Sequence, residues 1–301
     1  MTNDDAQDTV EVSSEKQPQR FFGPRPQRVN VRFGAVSDRG KKRSNNEDHY
    51  AVVRRDRSRT VLATNVPNAS MAQTKEEAYV MVVADGIGGA AFGELASMLA
   101  VQTAWELAER ETCWAFNVDE EQAKELADKF DAYAQLIHQK LLDHVDSDPL
   151  TAGMGTTLTV AHTVGPVAFI GHIGDSRAYA YRDGLLHPLT RDHTLAQELV
   201  DAGMKSCEAS KFGHVLTNFL GGRRDRVDTE SQQFVLQDGD ALLLCSDGLT
   251  RHVEDAEIAE AIRQDDDPQN VCQSLLDLAL ERGGRDNITI VLARYEIPES
   301  A

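Results

Sequence analysis

Residues 79–89, with the sequence YVMVVADGIGG, join an apolar run to an acid and a glycine-rich turn. The run has the length and the β-branched content of a buried strand. A strand that ends in Asp85 places the carboxylate of that residue at the edge of a sheet. Taken alone, Asp85 is explained equally well as a turn-forming residue and as a catalytic one, so the stretch predicts a strand and leaves the role of its acid open.

Two other acids stand beside apolar runs in a similar way. Asp247 follows the run 241–245, ALLLC, and Asp286 precedes the run 288–293, ITIVLA. Each alone has a structural explanation, because Asp-Gly and Asp-Asn pairs are common in tight turns. Three turns of this kind rarely all place the acid at the end of a strand, so their joint occurrence favours a shared site.

The segment 43–48, RSNNED, adds a fourth acidic group through Glu47 and Asp48. Carboxylates that are brought together repel one another and resist ionisation unless a cation neutralises them. Carboxylate oxygens are also the ligands that hard divalent cations prefer. The four segments therefore predict a cluster of divalent metal ions, and the alternative for Glu47 and Asp48 is a solvated charged surface.

The composition limits the kinds of protein to which the chain can belong. It has 301 residues, of which 41% are hydrophobic, enough for a core in one large domain, our preferred interpretation, or in two small ones. The formal net charge of -18 would repel phosphate backbones. Nucleic acid is therefore not an expected partner, and a basic protein segment is a more natural one.

Cysteine spacing and hydropathy indicate the compartment. The four cysteines, at 113, 207, 245 and 272, are far apart and show no paired spacing, so free thiols in a reducing environment are expected. No apolar run approaches the roughly 20 residues of a membrane span, and residues 1–20 lack the apolar core of a signal peptide. We therefore expect a cytoplasmic protein without a membrane partner.

Patterning divides the chain into a tail and one domain. Residues 1–28 are polar and contain prolines, which predicts a disordered tail, and the domain is expected over residues 29–296. Within the domain, the polar residues 54–77 indicate a surface loop or an extended hairpin. Thr194 and Gln197 have the spacing of a capping box, so a helix is expected to open the segment 195–215, which continues as a mobile flap.

Hydrophobic periodicity predicts an α+β fold. The short runs between residues 157 and 189 have the spacing of an antiparallel meander. Strands at both ends of the chain, with helices between them, favour a layered α+β fold over a parallel doubly wound one. Helices are predicted at 94–110, 123–141, 195–202 and 268–282, and strands at 29–36, 79–84, 157–162, 167–173, 177–181, 184–189, 233–236, 241–245 and 288–294.

Seven motifs follow one another along the chain: RxxNED at 43–48, VADGxGG at 83–89, GTT at 155–157, GDSR at 174–177, DHTL at 192–195, SDGL at 246–249 and DN at 286–287. These motifs and their order resemble those of the metal-dependent Ser/Thr protein phosphatases of type 2C, also called the PPM family. The resemblance covers nearly the whole chain beyond the tail, and the GIGG sequence after Asp85 and the short flap are similar to the bacterial branch.

This resemblance implies a fold and a metal site. The fold of the family is a central antiparallel β-sandwich flanked by helices on both sides, in α-β-β-α layers. Two Mn²⁺ or Mg²⁺ ions would be bridged by Asp85 and by a water or hydroxide. The carbonyl of Gly86 would contact one ion, and Glu47, Asp247 and Asp286 would hold the other.

The resemblance also implies roles for neighbouring residues. A third, weaker ion would use Asp175 together with Asp247. Arg43 matches the phosphate-binding arginine of the family, whose guanidinium fork suits two phosphoryl oxygens. The alternative for Arg43 is a surface ion pair with a neighbouring acid of its own motif. Asp48 and Asn287 would support the metal ligands by hydrogen bonds rather than bind metal themselves.

Two positions depart from the family pattern. Ile87 stands where some eukaryotic relatives have a histidine proposed to protonate the leaving alkoxide, so the leaving-group acid is unassigned. His49, His172 and His193 flank motifs, but a histidine in such a place is more often a packing or hydrogen-bonding residue. Asn218 stands where bacterial relatives usually have arginine, which bears on how the flap is anchored.

The function implied by the resemblance is hydrolysis of phosphoserine and phosphothreonine in proteins by a metal-activated water, with Arg43, Asp85 and Asp247 as catalytic residues. Phosphorylated proteins, among them a Ser/Thr kinase, are the expected partners of a monomeric enzyme. Two alternatives remain open. One is a catalytically silent regulatory or binding module, which would be expected to lose metal-binding acids that this chain keeps. The other is a phosphohydrolase of small phosphoesters.

Overall fold

A computed structural model of the chain describes residues 29–58, 62–63, 75–88, 92–109, 120–222 and 224–298. The predicted tail at 1–28 and most of the predicted insertion at 54–77 lie outside these residues. The flanks of the insertion form a long hairpin, in which Ser58 pairs with Lys75.

The described residues contain twelve strands and seven α-helices. The strands are β1 Asn30–Asp38, β2 Asp48–Ser58, β3 Lys75–Ile87, β4 Gly155–Thr156, β5 Leu158–Val164, β6 Val167–Ile173, β7 Arg177–Arg182, β8 Leu185–Pro188, β9 Leu220–Gly221, β10 Glu230–Val235, β11 Ala241–Cys245 and β12 Ile288–Glu296. The helices are α1 Phe92–Glu109, α2 Glu120–Ser147, α3 Leu195–Asp201, α4 Ser206–Ala209, α5 Asp247–Thr250, α6 Asp255–Gln264 and α7 Pro268–Glu281.

These strands form two sheets, and all the strand pairs in the described residues are antiparallel. The first sheet has the order β1-β12-β11-β7-β8, and the second has the order β10-β6-β5-β3-β4-β9 with β2 also paired to β3. The first and last strands of the domain are neighbours, with Asn30 opposite Glu296. The predicted α+β class is confirmed.

Three apolar cores give the predicted layer order. Strand β11 shows why, since it is buried on both faces: Leu242 and Leu244 enter the core between the two sheets, and Leu243 and Cys245 enter the core under α6 and α7. A third core joins the outer face of the second sheet to α1 and α2. The run ALLLC is apolar throughout because its alternate residues serve two different cores. The layers are therefore α-β-β-α.

The predicted meander over residues 157–189 is divided between the sheets, so this part of the prediction was wrong. Strands β5 and β6 pair in the second sheet, whereas β7 and β8 pair in the first. The crossing occurs at Gly174, which has a φ of 109°. A Cβ atom there would lie 2.5 Å from Cγ2 of Thr157, so the chain crosses where only glycine fits.

The predicted helices are present, but the short helices α4 and α5 were not predicted. The inward stripe of α2 is confirmed, with Phe130, Ile137 and Leu141 buried. Helix α6 was not predicted. None of the helices in the described residues combines the length and the hydropathy needed to cross a membrane.

The segment predicted as a flap begins as expected. The side chain of Thr194 accepts the N–H of Gln197 at 3.3 Å and caps α3. Helix α4 and a 3-10 turn at Ser210–Phe212 follow. The segment returns to its start through a bridge between Thr194 and Leu216.

Candidate active site

The acidic segments meet at one end of the sandwich, where strands of both sheets end. In the second sheet, Asp48 is the pairing partner of Asp85. In the first sheet, the N–H of Ser246 donates to the carbonyl of Thr289 at 3.0 Å. The Oγ of Ser246 also donates to Oδ2 of Asp48 at 2.7 Å. One hydrogen bond thus connects the two sheets beside the acids.

Two threonines fix the backbone of Asp85 through three hydrogen bonds. Its N–H donates to Oγ1 of Thr157 at 2.9 Å, and its carbonyl accepts the N–H of Thr157 and Oγ1 of Thr156, each at 2.9 Å. Oγ1 of Thr157 also lies 2.8 Å from Oγ of Ser176, next to Asp175. The GTT and GDSR motifs therefore hold Asp85 and the turn that carries Asp175 together.

Glu47 is held from two sides. Its N–H donates to Oδ1 of Asn287 at 2.8 Å, and its carbonyl accepts the N–H of Gly86 at 3.2 Å. Nδ2 of Asn287 donates to the carbonyl of Asn45 at 2.8 Å, and the backbone N–H of Asn287 donates to Oδ1 of Asp286 at 2.9 Å. Asn287 therefore connects the RxxNED motif to Asp286 by hydrogen bonds.

The turn after β11 approaches the backbone of Asn287 closely. A Cβ atom on Gly248 would lie 1.9 Å from the carbonyl oxygen of Asn287, closer than any real contact. The glycine after Asp247 is therefore required for the turns of Asp247 and Asp286 to pack side by side. Sequence alone explained this glycine only as a turn former.

The carboxylates of the site raise one another's pKa values. Burial raises the pKa of Asp85 well above its ordinary value, and the nearby charges of Asp48, Asp247, Asp175 and Asp286 raise it further. Burial likewise raises the pKa of Asp48 to about 7 and that of Asp247 to about 6. The fold therefore gathers acids that would not all ionise without a compensating positive charge.

Two arginines supply positive charge to these acids. Arg43 binds Asp286 with both ends of its fork, from Nε to Oδ1 and from Nη2 to Oδ2, each at 2.8 Å. Its partner is therefore Asp286 rather than an acid of its own motif. Arg251 forms an ion pair with Asp247 and places Nη1 3.2 Å from Oδ2 of Asp286. Arg251 was not predicted from the sequence, although its i, i+4 spacing from Asp247 was a usable signal.

The donor set fits hard divalent cations. Within the described part of the chain, no three or more His, Cys, Asp or Glu side chains form a ready metal-ligand group. The acids nevertheless offer only oxygen, which suits Mn²⁺ and Mg²⁺. Oδ1 of Asp48 and Oδ1 of Asp247 are buried and find no hydrogen-bond partner among the described residues. Since buried carboxylate oxygens are normally satisfied, the unpartnered Oδ1 of Asp247 is suited to a cation.

Two of the histidines considered as leaving-group acids serve as hydrogen-bond partners within the fold. Nδ1 of His49 lies 2.9 Å from Oγ of Ser97. His172 is buried, with Nδ1 2.9 Å from Oγ1 of Thr159 and Nε2 3.0 Å from the carbonyl of Gly174. Because that carbonyl can only accept, Nε2 carries the proton and Nδ1 accepts from the threonine. Burial lowers the pKa of His172 to about 3, so it is neutral.

His193 and Asn218 join the flap to the turn of the GDSR motif. Nδ1 of His193 accepts the N–H of Gly174 at 3.1 Å and lies 2.8 Å from Nδ2 of Asn218. Asn218 also donates to the carbonyl of Asp228 at 2.7 Å and accepts the N–H of Asp228 at 3.2 Å. Where bacterial relatives usually have arginine, this chain thus has an amide that fastens the base of the flap.

The fold and the site together define an α-β-β-α sandwich with an oxygen-rich acidic site at one end. A sequence profile of the family described as protein phosphatase 2C matches residues 68–277. The chain belongs to this family.

Several relatives and solved structures are similar to the chain. Serine/threonine protein phosphatase PstP of Mycobacterium tuberculosis is 34% identical over 268 residues, which are 87% of this chain and 45% of that protein. Protein phosphatase PhpP of Streptococcus pneumoniae is 31% identical over 268 residues, which are 87% of this chain and 96% of that protein. The chain thus spans about half the length of PstP and nearly all of PhpP.

The catalytic domain of PstP has also been solved in complex with two manganese ions. It matches 89% of this chain and 100% of its own length, with 33% identity and a TM-score of 0.69. The predicted family and its layered fold are thereby confirmed.

Proposed function

We propose that the chain is a metal-dependent protein serine/threonine phosphatase that hydrolyses phosphoserine and phosphothreonine with a metal-activated water. The observation that carries this proposal is the meeting of Asp85, Asp247 and Asp286 with a forked arginine, Arg43, at one end of the sandwich. The family membership and the names of the similar proteins support the same activity.

In this proposal the oxygens of Glu47, Asp85, Asp247 and Asp286 and the carbonyl of Gly86 hold two Mn²⁺ or Mg²⁺ ions. The buried, unpartnered Oδ1 of Asp247 supports this assignment, as do the two manganese ions in the PstP structure. Such cations, when bound, lower the pKa of water and neutralise carboxylates.

Arg43 is proposed to bind the phosphoryl group of the substrate. Its side chain is 49% exposed, so a ligand can reach it from solvent. The two parallel bonds that it makes to the carboxylate of Asp286 have the geometry that also fits two phosphoryl oxygens. Arg43 thus orients a substrate next to the acids and stabilises the negative charge on its oxygens.

The supporting roles of Asp48 and Asn287 remain proposals of the same kind. Asp48 accepts the hydrogen bond of Ser246, and Asn287 links Glu47 to Asp286. Neither role requires direct contact with a metal ion, because orienting the ligands is sufficient.

The domain bounds, the substrates and the compartment of the protein are also part of the proposal. We propose one domain over residues 29–296, because β1 and β12 close the first sheet from the two ends of that range. Phosphorylated proteins, including a Ser/Thr kinase, are the proposed substrates of a monomeric, cytoplasmic enzyme. The buried free thiols of Cys245 and Cys272 and the acidic net charge support the compartment and the preference for basic segments.

The test is phosphate release from a phosphothreonine peptide with Mn²⁺, Mg²⁺ or a chelator, measured for the wild type, Asp247→Asn and the control Asp277→Asn. Asp277 is exposed on α7, so Asp277→Asn removes the same charge at a position outside the site. We expect chelation and Asp247→Asn each to lower the rate by about 100-fold or more, with no effect of Asp277→Asn. Activity that survives both changes would overturn the proposal.

The same assay with p-nitrophenyl phosphate separates the protein phosphatase from a phosphohydrolase of small phosphoesters. If the small ester is cleaved far faster than every phosphopeptide in a panel, the substrate class is wrong although the metal site stands.

A further inference from the structure

Arg251 is a permanent cation inside the acidic site. It follows Asp247 by one helical turn, and its Nη2 pairs with Oδ2 of Asp247. Its side chain is 41% exposed, while the acids that it contacts, Asp247 and Asp286, are 12% and 16% exposed. The guanidinium therefore covers the acids from the solvent side, and an arginine side chain stays protonated throughout the neutral range.

Only one of the two oxygens of Asp247 has a partner in the described residues. Oδ2 is taken by Arg251, whereas Oδ1 is buried and finds no hydrogen-bond partner within the described residues. A single carboxylate can bind a cation with one oxygen and a guanidinium with the other. Asp247 can thus serve the two-ion site through Oδ1 while its second oxygen remains paired with Arg251.

Arg251 also acts on Asp175, the acid that would share a third ion with Asp247. Burial raises the pKa of Asp175 well above its ordinary value, the charge of Asp247 raises it further, and the guanidinium of Arg251 opposes that rise. These two acids and the arginine therefore form one interacting group.

We propose that the guanidinium of Arg251 takes the place of a third divalent cation beside Asp175 and Asp247, so that the chain binds two Mn²⁺ ions rather than three. This inference rests on the proposed two-ion site. A third ion would have to displace the guanidinium from Oδ2 of Asp247 and would be repelled by it. Arg251 thus supplies the charge that balances the outer acids without a metal.

Arg251 also contacts Asp286, an acid of the proposed two-ion site. Asp286 is already bound through both oxygens by Arg43, and the added contact from Nη1 of Arg251 is longer, at 3.2 Å. The ion pair with Asp247, by contrast, is made to the acid that would share a third ion with Asp175. Its main effect is therefore expected at the third position.

The test counts bound Mn²⁺ by equilibrium dialysis and by the EPR signal of free Mn²⁺, for the wild type, Arg251→Gln, Arg251→Lys and Arg263→Ala. Arg251→Gln removes the charge at similar size, Arg251→Lys keeps it, and Arg263 is an exposed control paired with Glu260 on α6. We expect two ions in the wild type, Arg251→Lys and Arg263→Ala, and a third, weaker ion in Arg251→Gln. Adding Asp175→Asn to Arg251→Gln should return the count to two.

Three ions in the wild type would overturn the inference, and so would a count of two in both the wild type and Arg251→Gln. Thermal unfolding establishes that each variant is folded, and Arg251→Ala replaces Arg251→Gln if the latter is not. Phosphate release is measured separately. A wild type that binds two ions and releases no phosphate would refute the proposed function and leave the inference standing, whereas fewer than two ions would refute both.

Discussion

The Oγ of Ser246 donates a hydrogen bond of 2.7 Å to Oδ2 of Asp48 and thereby connects the two sheets of the sandwich at the acidic site. The same Oγ accepts the N–H of Thr289 at 2.9 Å, so Ser246 is fixed to the first sheet while it holds an acid of the second. Both side chains are buried.

Replacing Ser246 with alanine should destabilise the fold, because Asp48 would lose this donor while it stays buried. We expect the free energy of unfolding in urea to fall by about 1–3 kcal/mol. The control is Ser274→Ala on the exposed face of α7, which should change it by less than about 0.5 kcal/mol. Equal effects of the two substitutions would show that the bond between the sheets contributes little.

Replacing Gly248 with alanine should separate the turns that carry Asp247 and Asp286, because the new Cβ would meet the carbonyl oxygen of Asn287 at 1.9 Å. We expect phosphate release to fall by about 100-fold, since displacements of about 1 Å have effects of that size. Gly213→Ala is the control, because Gly213 has a φ of -62° and a nearest contact of 3.2 Å. Wild-type activity in Gly248→Ala would contradict the packing described for this turn.

Buried, neutral His172 should make the fold less stable in mild acid. Its pKa is lowered from 6.5 to about 3, first by burial and then by the neighbouring His193. As the pH falls below 6.5, the unfolded chain takes up this proton and the folded chain does not. The contribution of His172 to the free energy of unfolding is thus fully present above pH 6.5. Below that pH it falls by up to about 1.4 kcal/mol per pH unit, until about pH 3.

The measurement is the free energy of unfolding of the wild type and His172→Gln between pH 7 and pH 5. Because other groups titrate in both proteins, the difference in slope isolates His172. We expect a smaller decline in the variant, and no change of slope in His187→Gln, whose histidine is exposed on β8. Parallel curves for wild type and His172→Gln would mean that His172 takes up its proton alike in the folded and unfolded chain.

Changing Asn218 to aspartate should loosen the base of the flap. The carboxylate keeps the acceptor for the N–H of Asp228 but loses the donors to His193 and to the carbonyl of Asp228. We expect faster backbone hydrogen exchange in residues 195–216, with unchanged exchange in α7. Asn270→Asp, at an exposed position of α7, is the control. Unchanged exchange in the flap would show that Asn218 does not hold it.

Elements whose pattern reflects burial could be predicted from local sequence. The apolar runs at 241–245 and 288–293 became strands because both faces of each are covered, and α2 followed from one buried stripe. Helix α6 escaped prediction because only Ile258, Ala259 and Ile262 are buried in it, and because Glu254, an unusual capping residue, begins it through a capping box with Glu257.

Part of the candidate site could likewise be predicted from the sequence, and part could not. Its acids were recognisable because they stand beside strand ends in an order that matches a family. The partners of the arginines were not, since Arg43 reaches Asp286 across 243 residues of sequence and Arg251 contacts two acids from different segments. A long side chain finds its partner only after the sheets have brought distant segments together.

The sequence by itself determined nine of the twelve strands and four of the seven helices in the described residues, the acids at the strand ends, and the family, because periodicity and short motifs are local properties of the chain. The tertiary structure decided that the run after residue 157 crosses from one sheet to the other at Gly174. It also decided that Ser246 links the sheets and that Arg251 lies within the acidic site. These features depend on contacts between residues far apart in sequence, where packing and charge act through space.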